Sequence, residues 1–330
     1  MLPPVPHVDV RGGGALALYA AAPEAAQAQI DDAQTRFTRL GVALADRLSR
    51  RWLERTDNPL RREIAAVADA VGRPGAHLLN LSYEWGCSAA VAPDPFGTGM
   101  RLLRTLDWPF AGLGSGLIAA RMEGSAGPWL NLTWPGFAGV LTAVARGRFA
   151  VAFNQPPMHA RRVCGLGLPM PLDWALNRHV VWRSREIPPA HLLRLVCDEA
   201  ADYDDARRRI VQTPLATSCF VTLAGPNAGE GCVIERTHDA AFVHEAPRAI
   251  TNHWLTPDRI GHPRTAHSRE RLTMIAAMMS GPGQLAWLQE PILNRDTRLA
   301  AELNPATGMV QAQGWEAEGP ATRPTMLQAD

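Results

Sequence analysis

Residues 83–110 read YEWGCSAAVAPDPFGTGMRLLRTLDWPF and place Cys87 between a glycine and a run of small apolar residues. A second apolar run, residues 101–108, follows a turn rich in Pro and Gly and contains Arg104 and Asp107. Short apolar runs bounded by Gly, Pro and Asp are typical of β-strands. If the two runs form adjacent strands, both charged residues reach the end of the sheet that bears the cysteine. A guanidinium beside a thiol lowers its pKa, so the stretch predicts either a reactive cysteine or a structural cysteine beside an ion pair.

The sequence before this stretch has a helical pattern. In residues 23–73 apolar side chains recur three and four positions apart, and Asn58-Pro59 marks a break. A further short helix, HLLNLSYEW, leads up to Gly86. We therefore expect a helical segment over residues 1–86.

The sequence after Cys87 alternates between strands and helices. One series of strand-like runs comprises CSAAVAP, MRLLRTLDW, GLIAARME, PWLNLTW, GVLTAVA and RFAVAFN. Helical patterning returns over residues 171–211, and a second strand series comprises ATSCFVTLAG, GCVIERT, AAFVHEA and RAITNHW. SRERLTMIAAMMS and PGQLAWLQEPIL are predicted to be helices, TRLAAELNPATGMVQAQGW a hairpin, and the tail after Trp315 loose. This order predicts an α+β fold with largely antiparallel sheets in one integrated domain.

The composition excludes several classes of function. The chain has 330 residues and a net charge of +1, so no strong field would attract nucleic acid. It contains no lysine, which excludes Schiff-base chemistry and a P-loop. Five cysteines without a CxxC pair argue against a disulfide scaffold and favour a cytoplasmic location. The start lacks a signal-peptide pattern, and the apolar runs are too short to span a membrane.

Other candidate sites are weaker. GLGSG at residues 112–116 lacks the rest of a dinucleotide-binding fingerprint and is interpreted as a hairpin turn. His253, His262 and His267 do not have zinc-site spacing, so we expect neither a metal nor a cofactor. Cys164 has no candidate partner nearby in sequence. Three more cysteines lie in apolar runs and are interpreted as core residues: Cys197, Cys219 and Cys232.

Several short segments of the sequence, in the same order as in the family, resemble the acid ceramidase and N-acylethanolamine acid amidase group of N-terminal nucleophile (Ntn) hydrolases. The chain resembles the isopenicillin N acyltransferase and choloylglycine (bile salt) hydrolase groups more distantly. YEWGCSAAVAP is similar to the family's cleavage site and nucleophile, and LLRTLDWPF to its Arg-x-x-Asp strand. The remaining similar blocks are PGFAGVLTAVARGRFAVAFNQ, TSCFVTLAGPNAGEGCVIER, AITNHW, SRERL and EPILN followed by the last hairpin.

The resemblance implies a four-layer αββα sandwich and a chain that cuts itself between Gly86 and Cys87. Residues 1–86 would then be a small subunit that stays bound to the catalytic core, residues 87–330. Cys87 would be the nucleophile and its freed α-amine the general base. Such an amine has an unperturbed pKa of about 7.7–8.0, close to what a base at neutral pH requires.

The resemblance also implies roles for other residues. Asp107 would orient the α-amine, Arg104 would position the thiolate, and the Asn252 amide would donate to the oxyanion together with a backbone N–H near Asn154. The late conserved arginine is assigned to Arg269 as a supporting residue. Arg271 is an alternative occupant of that position.

Two positions depart from the family pattern: Gln155 stands where a glutamate is common, and His253 where an aromatic is. The implied function is hydrolysis of linear N-acyl amides through a Cys87 thioester, and an apolar acyl chain is compatible with the composition. The alternatives are acyl transfer to an amine and an uncleaved, non-enzymatic relative. The oligomeric state stays open.

Overall fold

The computed structural model describes residues 1–82, 86–163, 166–257 and 259–330, and Cys164 lies outside these ranges. The helices in these ranges are α1 (Gly14–Ala21), α2 (Pro23–Phe37), α3 (Arg39–Glu54), α4 (Arg61–Val71), α5 (Ala76–Leu81), α6 (Met170–Arg183), α7 (Pro189–Glu199), α8 (Tyr203–Gln212) and α9 (Ser268–Met278). The strands are β1 (His7–Asp9), β2 (Gly86–Pro93), β3 (Met100–Asp107), β4 (Ile118–Gly124), β5 (Gly127–Thr133), β6 (Thr142–Ala145), β7 (Phe149–Asn154), β8 (Met158–His159), β9 (Arg162–Val163), β10 (Leu166–Gly167), β11 (Cys219–Ala224), β12 (Gly231–Arg236), β13 (Ala241–Glu245), β14 (Arg248–Ile250), β15 (Gly261–His262), β16 (Thr297–Leu303), β17 (Met309–Glu316), β18 (Gly319–Pro320) and β19 (Thr325–Gln328).

Two large sheets form the centre of the molecule. In the first the strand order is β1-β4-β5-β6-β7-β11-β12-β13, and in the second it is β14-β2-β3-β16-β17, with β18 and β19 both paired to β17. Neighbouring strands are antiparallel except β1 and β4. β3, β6, β7, β11 and β16 are buried along their whole length. Strands covered on both faces read as continuous apolar runs rather than alternating ones, which is why these runs were recognisable in the sequence.

The two sheets lie face to face, and helices cover their outer sides. β2 and β3 of the second sheet contact β7 and β11 of the first. Helices α7 and α8 lie on the outer side of the first sheet, against β4–β7 and β11, while α9 lies on β2 and β14 of the second. This arrangement confirms the predicted αββα layers.

Helices α1–α5 pack on the core through their own apolar cluster, which includes Ile30, Trp52 and Ile64. One polar junction joins them to α7. His191 of α7 is fully buried, its Nδ1 lies 2.7 Å from Asn58 Nδ2, and its Nε2 lies 3.2 Å from the Asn80 carbonyl oxygen. Burial lowers the pKa of His191 to about 4, so the neutral ring forms this junction at neutral pH.

The predicted helix over residues 282–293 is wrong, because the structure has turns there. Gln284 and Leu285 have positive φ angles of 63° and 60°, which no α-helix accommodates. The Glu302 carboxylate accepts hydrogen bonds from Leu285 N at 2.8 Å and from Trp287 Nε1 at 2.7 Å. This long-range contact overrides the helical pattern of the segment.

The prediction that the tail after Trp315 is loose is also wrong. β19 pairs with β17, where it covers an edge that would otherwise be open, and Ala329 is buried. Leu327 packs against the core between the sheets. The tail is therefore part of the second sheet.

Candidate active site

β2 and β3 are adjacent antiparallel strands, and they bring the predicted residues to one end of the second sheet. Cys87 lies opposite Leu106, and Gly86 opposite Asp107. Cys87 is fully buried, and its Sγ lies 3.7 Å from the Phe153 carbonyl oxygen on the first sheet. The thiol therefore faces the space between the two sheets.

Arg104 and Asp107 lie on opposite faces of β3, because an odd separation reverses the side of a strand. Arg104 lies opposite Ala89, on the face that also bears Cys87. Its Nη1 donates to Asn154 Oδ1 at 2.7 Å, across the gap between the sheets. Its Nε and Nη2 are buried and have no hydrogen-bond partner among the described residues.

The positive charge of Arg104 opposes the effect of burial on the pKa of the Cys87 thiol. Burial raises the pKa of Cys87 to about 11, while Arg104 pulls it down and Asp107 adds to the rise. In the intact chain the thiol is therefore protonated at neutral pH.

Asp107 points to the other face of the sheet, towards α9. Its Oδ1 accepts from Thr297 Oγ1 at 2.9 Å, and its Oδ2 accepts from Arg271 Nη1 at 3.2 Å. Burial raises the pKa of Asp107, and the positive charge of Arg271 opposes that rise.

Arg271, and not Arg269, is the α9 arginine at this site, which corrects the assignment made from the sequence. Arg269 is exposed, whereas Arg271 is buried at 2% exposure. Residues three and four apart share a helix face, so Arg271 points inwards with Ile275, also buried. The Arg271 guanidinium donates to Cys87 O at 2.8 Å and to Ser88 Oγ at 3.0 Å.

Asn252 lies between the backbone of Cys87 and α9. Its Oδ1 accepts from Cys87 N at 2.9 Å, from Arg271 Nη2 at 2.9 Å and from Thr265 Oγ1 at 3.2 Å. Its Nδ2 donates to the Gln155 carbonyl oxygen at 2.8 Å. The backbone nitrogen of Cys87 is thus held by the same side chain that faces the end of β7.

Thr265 and Ser268 were not foreseen from the sequence. Thr265 Oγ1 accepts from Arg271 Nη2 at 2.7 Å, and Ser268 Oγ accepts from the backbone N–H of Asn252 at 3.0 Å. A Cβ at Gly86 would lie 2.6 Å from Thr265 Cγ2. Thr265 therefore requires a glycine directly before Cys87, a constraint that no local pattern reveals.

An apolar crevice lies between the N-terminal helices and the core. Its volume is about 50 Å³. On the core side Trp108, Leu113 and Trp134 line it, and on the helical side Ile30 and Val67. Trp108 directly follows Asp107 in the chain, whereas Cys87, Arg104 and Asn252 do not themselves line the crevice.

The weaker sequence candidates have other roles. The turn at residues 112–116 directs the N–H groups of Gly112 and Ser115 to Glu316, at 3.2 and 3.0 Å. His262 Nε2 lies 2.8 Å from the buried carboxylate of Asp173. Within the described ranges, no group of His, Cys, Asp or Glu could hold a metal, and no helix is long and apolar enough to cross a membrane.

Comparison with known proteins identifies distant relatives in sequence and one solved structure with the same fold. No protein-family model matches the chain. The chain is 27% identical to N-acylethanolamine-hydrolyzing acid amidase from Oryctolagus cuniculus over 187 residues, which cover 55% of this chain and 48% of that protein. It is 28% identical to acid ceramidase from Homo sapiens over 105 residues, 32% of this chain and 24% of that protein.

The chain is a distant homologue of these amidases. Its matches span about half of the first relative's length and about a quarter of the second's. A solved structure of the Caenorhabditis elegans N-acylethanolamine-hydrolyzing acid amidase ortholog has a TM-score of 0.52 and 18% identity, and the match covers 73% of this chain and 100% of that one. The two proteins therefore share the fold.

Proposed function

We propose that the chain is a self-cleaving Ntn amidohydrolase that hydrolyses linear N-acyl amides through a thioester on Cys87. The observation that supports this most is the placement of both reactive atoms of one residue. The Cys87 thiol faces Arg104 between the sheets, while the Cys87 nitrogen is held by Asn252 Oδ1 at 2.9 Å. That nitrogen is the atom that cleavage would convert into the base.

Maturation would begin with attack of the Cys87 sulfur on the Gly86 carbonyl carbon. A C–S bond forms, the Gly86–Cys87 C–N bond breaks, and the thiol proton passes to the nitrogen, which leaves as an amine. Water then hydrolyses the thioester, which releases the Gly86 carboxylate and restores the thiol. Glycine leaves the carbonyl open to this attack.

Amide turnover would use the same sulfur. The freed α-amine takes the thiol proton, the thiolate attacks the substrate carbonyl, and the oxyanion receives hydrogen bonds in the space between the sheets. Asn252 Nδ2 is one donor, since an amide nitrogen has two N–H groups and Gln155 O takes one. Arg104 contributes positive charge on the thiol's side, and its orientation is fixed by Asn154. The α-ammonium then protonates the leaving amine, and water hydrolyses the thioester.

The proposed substrates have an apolar acyl chain. The supporting observation is the crevice beside Trp108, which is lined mostly by aromatic and aliphatic side chains. Because α1, α2, α4 and α5 form one wall of it, residues 1–86 would stay bound after cleavage as a small subunit. In the intact chain the crevice holds only about 50 Å³, so it must widen to admit more than a few methylene groups.

We also place the protein in a reducing compartment such as the cytoplasm. Within the described ranges the cysteines are free and buried: Cys87, Cys197, Cys219 and Cys232. Addition of an epitope tag and fractionation of cells would test this location.

The first test is the intact mass of the purified chain after incubation between pH 4.5 and 8. We expect two fragments divided at Gly86–Cys87, and a single chain for Cys87→Ala. Cys197→Ala is the matched control, because Cys197 is equally buried but lies on α7. Since the chain has no lysine, cleavage adds a new primary amine that an amine-reactive dye detects with little background.

The cleaved enzyme would then be offered N-acyl amides of increasing acyl length, with and without an amine acceptor. Free fatty acid as product supports hydrolysis, and a new amide that appears only with the acceptor would assign acyl transfer instead. An uncut chain at every pH, with an unreactive Cys87, would overturn the proposal in favour of a non-enzymatic scaffold.

A further inference from the structure

The side chain of Gln29 on α2 carries an amide whose hydrogen-bonding capacity the fold leaves unused. Gln29 lines the apolar crevice from the helical side, together with Ala26 and Ile30. Its Nε2 is buried and has no hydrogen-bond partner among the described residues. An amide nitrogen carries two N–H donors, and a buried donor without an acceptor destabilises the free protein. The crevice therefore contains a donor that a ligand could satisfy.

Other polar side chains that line the crevice are engaged. The Asn80 Nδ2 donates to two backbone carbonyl oxygens, at 3.0 and 3.1 Å, and its Oδ1 accepts from Ala138 N at 2.8 Å. Trp134 Nε1 donates to the Leu113 carbonyl oxygen at 2.7 Å. These groups hold the walls of the crevice together, so they differ in kind from Gln29.

The turn at residues 112–116 passes close to the Gln29 amide without satisfying it. A Cβ at Gly116 would lie 3.2 Å from Gln29 Nε2. The Gly112 carbonyl oxygen in this turn already accepts from Gly116 N at 2.9 Å and from Ser115 Oγ at 3.2 Å, which uses both of its lone pairs. The rest of the lining is mostly aromatic and aliphatic, so it offers a water molecule few of the roughly two to four polar partners that a buried water needs.

Gln27 on the same helix shows the contrast. Its Nε2 donates to the Val71 carbonyl oxygen at 3.1 Å, and its Oε1 accepts from Arg73 Nε at 2.6 Å. Gln27 therefore joins α2 to the end of α4 and the residues after it. The two glutamines separate a structural amide from an amide whose donor is unused.

We propose that Gln29 is a specificity-determining residue that selects N-acyl amides whose acyl chain carries an oxygen substituent, a hydroxyl or an oxo group. Its Nε2 donates a hydrogen bond to that oxygen, while the surrounding side chains contact methylene groups. This inference rests on the proposed function, in which the crevice takes the acyl chain. It narrows the substrate class from apolar acyl chains to acyl chains with one oxygen at a defined position.

The first test compares the cleaved wild-type enzyme with Gln29→Met, which fills similar space without a donor. The substrates are N-acyl amides of one chain length, unsubstituted or with a hydroxyl or oxo group at successive carbons. We expect wild-type kcat/KM to be about fivefold higher for chains whose oxygen reaches Gln29, the size of one net hydrogen bond, and Gln29→Met to lose that preference. Gln29→Glu should keep the preference for a hydroxyl, which can donate to a carboxylate, and lose the preference for an oxo group. Equal selectivity in the wild-type enzyme and Gln29→Met would overturn the inference.

Thermal unfolding in a Cys87→Ala background needs no activity. Gln29→Met should melt no lower than the background, because it removes a buried donor that has no partner. Gln27→Met is the matched control and should melt lower, because it breaks the hydrogen bonds to Val71 and Arg73. A clear drop for Gln29→Met would show that its amide has a structural partner, and the inference would then be wrong.

Calorimetry with free fatty acids, the expected products, separates this inference from the proposed function. Hydroxy acids with the substituent at successive carbons are compared with the unsubstituted acid of the same length. Tighter binding of one hydroxy acid that disappears in Gln29→Met supports the inference even in an enzyme that hydrolyses no amide, an outcome that would overturn the proposed function alone. Equal affinity for all acids, in an enzyme that hydrolyses unsubstituted amides, would overturn the inference alone.

Discussion

Replacing Arg271 by methionine should cost more stability than any other single change at this site. The guanidinium is 2% exposed and lies within 3.2 Å of acceptors on β2, β3 and the loop that holds Asn252. Methionine fills similar space but leaves the Asp107 carboxylate buried without its cation. Removing one partner of a buried ion pair typically costs about 3–5 kcal/mol, and we expect that loss for Arg271→Met.

The assay is urea unfolding in a Cys87→Ala background, which keeps the chain in one piece. Arg269→Met is the matched control, since Arg269 is exposed on the same helix, and its free energy of unfolding should equal that of the background. Arg271→Lys retains the positive charge but not the bidentate geometry of the guanidinium. Its free energy of unfolding should therefore lie between those of the Arg271→Met and Arg269→Met variants. Equal values for the Arg271 and Arg269 variants would refute the placement of Arg271 as the buried partner of Asp107.

The loss for Arg271→Met should also grow with pH. Burial already raises the pKa of Asp107, and Arg271→Met removes the largest of the effects that oppose that rise. A carboxyl whose pKa is raised in the folded state favours folding below its unfolded pKa of about 3.9 and loses that benefit as the pH rises through the folded value. The deficit should therefore be smaller at pH 4 than at pH 7, and a deficit that does not change with pH would show that Arg271 does not shift the pKa of Asp107.

Three further predictions concern residues outside this ion pair. His191 has a folded pKa of about 4, below its usual value near 6.5, so its contribution to stability is complete above pH 6.5. About 3 kcal/mol of that contribution should be lost by pH 4. The free energy of unfolding of His191→Gln in urea should therefore depend less on pH than that of the wild-type chain. Gly86→Val should slow self-cleavage because its Cβ meets Thr265 Cγ2, and Thr265→Ser, which removes that methyl group, should restore part of the rate measured by intact mass. Deleting residues 324–330 should expose β17 and lower the melting temperature, whereas an unchanged melting temperature would mean that β19 contributes nothing to the fold.

Much of the fold was predictable because both sheets are covered on both faces. β2, β6 and β7 therefore appear as largely apolar runs between segments that contain Gly or Pro. Residues 282–293 were mispredicted because Glu302, distant in sequence, fixes a turn in a segment with helical spacing. The tail was mispredicted because its four-residue strand has a partner only once β17 is in place.

The site was predictable to a similar degree. The pairing of β2 with β3 brings Arg104 and Asp107 to the end of the sheet near Cys87, as the spacing indicated. Arg269 and Arg271 could not be separated without knowing which face of α9 is buried. Thr265 precedes α9 and Ser268 is its first residue, so no helical spacing marks either one, and only the folded chain brings them to Asn252.

The separation between Arg104 and Asp107 has a consequence for finding remote relatives. Because the two side chains serve opposite faces of β3, one contacts the other sheet and one contacts α9. A spacing of two or four would send both to the same face and leave either Asn154 or Arg271 without its partner. A search pattern for this site should therefore fix an odd interval and let the intervening residues vary, with a second arginine on a later helix as the independent criterion.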